Sequence, residues 1–388
     1  MKTKHIVLAG LAAMIMPLVM PVAAHSVPDP AKKDTVRIAT YNASLNRGAA
    51  GQLISDLSTP NNTQAKVIAR IIQANNPDVV LVNEFDYYEN NQAVDLFRKN
   101  YLNVAQEGQQ AIDYPYAYTA PSNTGVPTGR DLNKDGKTDG PDDAYGFGFF
   151  PGQYGMAIFS KYPIDTAAVR TMANFLWKDM PNSMLPRDYY GANADILRLS
   201  SKSHWDVPIT VHGKRIHVLA SHPTPPVFDG PEDRNGKRNF DEIRLMADYI
   251  KGESYIYDDK GRKGGLDKHA EFVVLGDNNS DPRDGDSVPG AIQQLLNLKE
   301  LQDPAPTSAG AKEAGAGSPH QTPSEFDTAD FTEPNPGNLR VDYALPSKHL
   351  KVAGSAVFWP AKGQPLAELM DPRTSSDHRL VYVDVRVK

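Results

Sequence analysis

Seven stretches of the chain gather β-branched and aromatic residues and read as strands. They are 35–42 (TVRIATYN), 78–84 (DVVLVNE), 154–160 (YGMAIFS), 215–222 (RIHVLASH), 272–277 (FVVLGD), 341–347 (VDYALPS) and 379–387 (RLVYVDVRV). The last alternates, with Val381, Val383, Val385 and Val387 on one face. Two stretches carry the helical period instead. Over 63–78 it places Ala65, Ile68, Ile71 and Ile72 on one face, with Thr63 as the cap and Pro77 past the end. Over 241–252 it places Ile243, Met246, Ala247 and Ile250 together before Gly252. Long connections separate these elements at 85–153, 161–214, 223–240 and 280–340, and no internal repeat is visible. The segment 304–327, rich in Ala, Gly, Ser and Pro, reads as a loop. No linker divides the chain, which predicts one α/β domain over 35–388 with insertions.

The polar residues follow a pattern of their own. Apolar strands end on Asn42, Glu84, His222 and Asp277, the last followed by Asn278, Asn279, Ser280 and Asp281. Two further strands start at Asp342 and just after Asp377-His378. In isolation "GDNNSDP" is a turn sequence, Asn42 a turn residue, and His222 a surface histidine before a proline. Together they are a poor set of coincidences. In a mixed sheet the start of an antiparallel strand lies at the same edge as the end of its neighbour. Six strands can therefore deliver these groups to one rim, where ligand sites of α/β sheets occur.

Composition narrows the chemistry. The chain has 388 residues, 40% hydrophobic and 23% charged, enough for a full core without staples. Residues 1–24 carry the marks of a secretory signal peptide: Lys2 and Lys4, an apolar run from Ile6 to Val19, and small residues up to Ala24. A secreted or periplasmic protein is expected, with 25–34 as an N-terminal linker. The run is short for a membrane span and holds Pro17 and Pro21. The formal net charge is −6, and loss of Lys2 and Lys4 makes it more negative. That surface does not favour non-specific grip on nucleic acid, although only the field at the cleft counts. There is no cysteine, which excludes thiolate catalysis and cysteine-based zinc sites.

Carboxylates and an amide without cysteine suit a hard cation such as Mg²⁺. Two histidines and an Asp partner suit acid–base work. Asn side chains can hold an oxyanion. The set describes metal-assisted hydrolysis of a phosphate ester.

These residues resemble the endonuclease/exonuclease/phosphatase superfamily, which includes deoxyribonuclease I, abasic-site endonucleases, sphingomyelinases and inositol phosphatases. The resemblance lies in "TYNAS", "LVNEFD", "YGMAIFSKYPI", "VLASHPTPP", "VLGDNNSDP", "RVDYALPS" and "SSDHRLVYVDV", which run in the family's order from residue 35 to the C-terminus. It implies a four-layer α-β-β-α sandwich of two mixed β-sheets, as in deoxyribonuclease I, with the site at one edge. It also implies roles. Glu84 is the principal ligand of Mg²⁺ (or Mn²⁺), Asn42 lies near the metal or the phosphate, and Asp377 joins the metal shell. Asp277 and Asn279 position the attacking water and the phosphate oxygens. His378, oriented by Asp342, and His222 handle protons or stabilise the pentacoordinate phosphorus. The mechanism is in-line attack of water with no covalent intermediate.

Three departures stand out. Asn83 replaces the Gln that many relatives carry before the Glu, Asn278 replaces an aromatic in "GDFN", and Ser44 stands where some abasic-site enzymes carry Asp. The last argues against a repair nuclease, as does secretion.

A second ion site is legible in "DLNKDGKTDGPDD". Asp131, Asn133, Asp135, Asp139 and Asp142 fall at positions 1, 3, 5, 9 and 12 of a calcium loop. Gly136 supplies the sharp turn and the Lys137 carbonyl the remaining ligand. A structural Ca²⁺ at 131–142 is expected to pin the insertion between Glu84 and Tyr154. The following "AYGFGFFPGQYG" is a packed loop, or one that stacks on substrate or enters a membrane surface. Arg234 and Arg238 are candidates for binding a phosphorylated substrate. The expected enzyme is a monomeric phosphodiesterase, nuclease-like or sphingomyelinase-like. The alternatives are a phosphomonoesterase on small phosphates such as inositol phosphates, and a catalytically silent, calcium-dependent surface binding module.

Overall fold

The computed structural model describes residues 34–332 and 335–387. The expected signal peptide and all but the end of the expected 25–34 linker lie outside these residues. Among the described residues eleven strands form two sheets: β1 (Thr35–Leu45), β2 (Val79–Phe85), β3 (Tyr116–Tyr118), β4 (Met156–Ser160), β5 (Arg170–Thr171), β6 (His204–Val211), β7 (Lys214–Ser221), β8 (Glu271–Asp277), β9 (Asp342–Pro346), β10 (Lys351–Val357) and β11 (Val381–Arg386). One sheet runs β10-β11-β1-β2-β4-β3, the other β5-β6-β7-β8-β9.

Each sheet has one parallel pair at its centre, β1 with β2 and β7 with β8, and is otherwise antiparallel. The sheets face each other through β1 and β2 on one side and β8 and β9 on the other. Alternation along the strands sorts the core accordingly. Val273, Leu275 and Ala344 join the core of the first sheet, whereas Phe272, Val274, Tyr343 and Leu345 pack outward under the helix Arg234–Lys251. The helix Thr63–Asn75 covers the other side with Ala65, Ile68, Ile71 and Ile72, all buried. Two mixed sheets between helices are the expected layers.

The differences from the sequence reading have physical causes. The first helix is capped by Asn62, whose side chain accepts from the Ala65 amide at 3.0 Å, and not by Thr63; it ends at Asn75. The second begins at Arg234, seven residues before the expected start, because its polar first turns and Gly236 hide the period. The 304–327 segment is not wholly loop: Ala309–Ala314 is helical, with the Ser308 hydroxyl as its cap. Four strands, β3, β5, β6 and β10, carry no clear sequence signal. β6 holds Pro208, and β10 is an edge strand with a bulge between Val352 and Gly354. Among the described residues no helix is long and apolar enough to cross a membrane.

Candidate active site

The two parallel pairs aim four strand ends at one place. β1 carries Asn42 and β2 carries Glu84 at its end; β7 ends beside His222, and β8 ends on Asp277. Antiparallel β9 starts at Asp342, and β11 starts just after Asp377 and His378. Glu84 sits at a φ of 57° and Asn279 at 50°, left-handed conformations where two strands stop and side chains turn inward. Gly276 explains the glycine before Asp277. A Cβ there would overlap the Ser221 carbonyl oxygen, so only glycine lets β7 and β8 close up beside His222.

The convergence is close. Asn42 Nδ2 donates to Glu84 Oε1 at 3.2 Å and to Asp277 Oδ2 at 3.1 Å, tying the two sheets together. That Asp277 oxygen also lies 3.5 Å from His222 Nε2 and 3.6 Å from His378 Nε2. His378 Nδ1 pairs with Asp342 Oδ2 at 2.9 Å. Asn279 donates its backbone amide to Asp277 Oδ1 at 2.9 Å and its side chain to the Pro223 carbonyl at 3.1 Å. Asp377 accepts from the Ser44 hydroxyl at 3.4 Å and lines a cleft with Glu84, Asp277, Asn279 and His378.

The environment pushes the titrating groups apart. Burial disfavours charge on His378, but the carboxylates of Asp342 and Asp277 outweigh it and hold its pKa well above the usual histidine value. Burial takes His222 well below that value, and the positive charges of Lys202 and His378 act the same way. Burial also lifts Glu84 and Asp277 above the ordinary carboxylate range, against the pull of His378.

Crowded carboxylates that resist ionising fit a divalent cation, as does a set of oxygen donors without cysteine. Glu84, Asp377, Asp277 and Asn42 would hold such a cation. The donor atoms of Asp277, Asp342 and His378 also fall within 4.8 Å of one another. Because the imidazole is already bonded to Asp342, that trio suits proton handling.

Several contributors carry no strong sequence signal. The Thr328 hydroxyl donates to Asp342 Oδ2 at 2.8 Å and accepts the Asp342 amide at 2.9 Å, so it fixes the partner of His378. Ser376 donates to the Asn42 carbonyl at 2.7 Å and accepts the His378 amide at 3.1 Å. Its place beside the "DH" pair was the available clue. Lys202, just ahead of β6, is buried near Glu84 and Asp277; burial lowers its pKa against the fields of Glu242, Glu84 and Asp277.

Two clefts meet at Glu84. The first, about 670 Å³, is lined by Asp277, Asn279, Asp377 and His378, with Phe228 and Phe331. The second, about 550 Å³, is lined by His222, Lys202, Arg234 and Arg238, with Tyr154, Tyr190, Phe147 and again Phe228. Arg234 pairs with Glu232 and lies over the Tyr189 ring. Arg238 is engaged by the backbone carbonyls of Leu199, Tyr145 and Arg198. Both arginines thus form wall rather than floor.

The 131–142 loop stands on the same wall, and Asp142 lines the second cleft. The loop is wound inward: Asp131 Oδ2 accepts from the Gly136 amide at 3.0 Å, Asn133 Oδ1 from the Asp135 amide at 3.1 Å, and Asp135 Oδ1 from the Lys137 amide at 2.8 Å. Asp139 and Asp142 are exposed. Asp143, passed over in the sequence, closes the turn by accepting from Leu132 at 2.8 Å and Gly140 at 3.1 Å.

Comparison with known proteins identifies the family. The model of the Endonuclease/Exonuclease/phosphatase family matches residues 39–378. No curated protein sequence matches the chain. An endonuclease/exonuclease/phosphatase structure from Beutenbergia cavernae is 17% identical, with a TM-score of 0.52, over 92% of this chain and 72% of that one. The human nocturnin catalytic domain with bound sulfate is 14% identical, with a TM-score of 0.47, over 92% and 94%. A family protein from Leptotrichia buccalis is 15% identical, with a TM-score of 0.46, over 91% and 99%. The chain therefore belongs to the endonuclease/exonuclease/phosphatase family and is a metal-dependent hydrolase of phosphate esters.

Proposed function

We propose that the protein is a secreted, Mg²⁺-dependent phosphodiesterase that cleaves by in-line attack of water on phosphorus. The observation that carries this reading is the pair of clefts meeting at Glu84, one faced by His378 and the other by His222. A phosphorus atom held between the two imidazoles has one ester arm in each cleft, whereas a monoester fills only one. Asp277, Asn279 and Asn42 orient the water and the phosphoryl oxygens. The histidines hold protons with opposite preference, so His378 suits donation and His222 acceptance. Mg²⁺ or Mn²⁺ bound by the Glu84 set supplies Lewis-acid stabilisation of charge on the phosphoryl oxygens.

The walls speak to the substrate. Asp281, Asp284, Asp286 and Asp377 line the first cleft, and no Lys or Arg does among the described residues. A polyanionic strand threaded there meets like charge, which favours a small or lipid-type diester over nucleic acid. Exposed Phe147 and Phe228 at the mouth suit an apolar arm, free or presented at a membrane surface. The leader-like residues around Lys2, Lys4 and Ala24 support secretion or a periplasmic location. For the 131–142 loop we propose structural Ca²⁺, supported by Asp131 Oδ1, which is buried without a hydrogen-bond partner.

The test is turnover of bis(p-nitrophenyl) phosphate and p-nitrophenyl phosphate with Mg²⁺, with Mn²⁺ and with EDTA. The expected result is metal-dependent cleavage with the diester ahead by at least about tenfold in kcat/KM. Preference for the monoester would replace this reading with a phosphomonoesterase. Supercoiled DNA is expected to survive under the same conditions.

A further inference from the structure

Lys202 is only 7% exposed, yet its ammonium makes no ion pair and no hydrogen bond among the described residues. A lysine buried to that degree ordinarily has a carboxylate against it. Glu242, Glu84 and Asp277 are near enough to act on it through their charge, but none touches it. Glu242, itself fully buried, is committed elsewhere. Its Oε1 accepts from the Ser201 amide at 2.6 Å and the Ser201 hydroxyl at 2.9 Å, and its Oε2 accepts from the Thr224 amide at 2.6 Å. Ser201 precedes Lys202, and Thr224 follows His222 by two residues. One buried carboxylate thus fixes both segments that carry the polar floor of the second cleft. Lys202 lines that cleft together with Glu84 and His222.

We propose that Lys202 is a further catalytic residue, donating to a non-bridging oxygen of the phosphoryl group under attack. The assignment rests on the hydrolase reading above. As water adds, its oxygen forms a bond to phosphorus, the bond to the leaving ester oxygen breaks, and charge builds on the non-bridging oxygens. Lys202 keeps its proton throughout and stabilises that charge from a position fixed before the reaction starts. The ligand class it recognises is an anionic phosphoryl group, of whichever ester.

Lys202→Met keeps the aliphatic stem and removes the charge, and Lys202→Arg restores a charge in different geometry. On bis(p-nitrophenyl) phosphate with Mg²⁺, Lys202→Met is expected to lose about 10²–10³-fold in kcat/KM, with Lys202→Arg between it and the wild type. Thermal melting should shift by less than about 2 °C, which separates lost chemistry from lost packing. Inorganic phosphate, titrated calorimetrically with Mg²⁺ present, should bind Lys202→Met at least about tenfold more weakly. If Lys202→Met keeps kcat/KM within about threefold while Glu84→Ala is inert, Lys202 has no such role and the hydrolase reading stands. If the wild type turns over neither ester, the hydrolase reading fails. The phosphate titration then decides Lys202 alone, and equal affinity in wild type and Lys202→Met overturns the proposal.

Discussion

The catalytic rim and the 131–142 loop are both acidic, and they are built in opposite ways. At the rim, contacts join residues far apart in sequence: Asn42 with Asp277, Ser44 with Ser376, His378 with Asp342. The acids are held in place by two sheets and have little access to water. In the loop, the contacts run from Gly136 to Asp131, from Asp135 to Asn133 and from Lys137 to Asp135, and most of the side chains are exposed. The rim needs the whole fold before its acids meet; the loop needs a single turn. Removing a rim acid should therefore damage chemistry and leave the fold standing. Removing a loop acid should loosen the fold locally and spare the chemistry.

The largest effect is expected at Glu84. Glu84→Gln should lower kcat/KM on a phosphodiester by about a thousandfold or more. Its thermal midpoint in EDTA should be unchanged or higher, because burial and the Asp277 charge both act against the ionised Glu84 carboxylate. A variant that unfolds earlier in EDTA while keeping activity would reverse the comparison.

Next comes Asp342. Asp342→Asn removes the carboxylate that orients His378 at 2.9 Å and helps hold its proton. The expected loss in kcat is about 10²–10⁴-fold. The sign of the pH effect follows from the charge removed. Without Asp342 the protonated imidazole loses support, its pKa falls, and the limb of the kcat/KM profile that needs protonated His378 moves to lower pH. An unmoved limb would mean that His378 does not act as a cation.

Much of this was legible because strands end or begin beside the polar residues of the rim. Apolar runs stopping at Asn42, Glu84 and Asp277 marked both the elements and the rim, and the loop announced itself by spacing around Gly136. What stayed hidden depends on distance in sequence or on satisfied polarity. Thr328 matters only because the chain returns it to Asp342, 14 residues on. Lys202 sits in a serine-rich stretch with no strand of its own before it. The helix from Arg234 was masked by polar residues that turn out to be half-buried against the second cleft. Sequence also does not show that three backbone carbonyls engage Arg238 at the second cleft.

A smaller effect, on stability alone, is expected in the loop. Asp131→Ala should lower the melting temperature by about 2–4 °C with Ca²⁺ present and by nothing measurable in EDTA. Its turnover of a diester with Mg²⁺ should stay within about threefold of wild type at a temperature well below melting. Equal melting with and without Ca²⁺ in the wild type would remove the ion from the loop.

The smallest effect separates wall from floor. Phe228 is 86% exposed at a φ of 67°, lines both clefts, and so spends a large apolar ring on the mouth of the site rather than on the core. Phe228→Ser should leave stability within about 0.5 kcal/mol, since little is buried there. An aromatic ester arm stacked on the ring gains about 0.5–1.5 kcal/mol beyond its area, so bis(p-nitrophenyl) phosphate should lose a few-fold in kcat/KM. Dimethyl phosphate bears no ring, and its slower cleavage should be unaffected. If both diesters suffer alike, Phe228 shapes the backbone around His222 instead of touching the arm, and its exposure is a consequence of the turn that carries it.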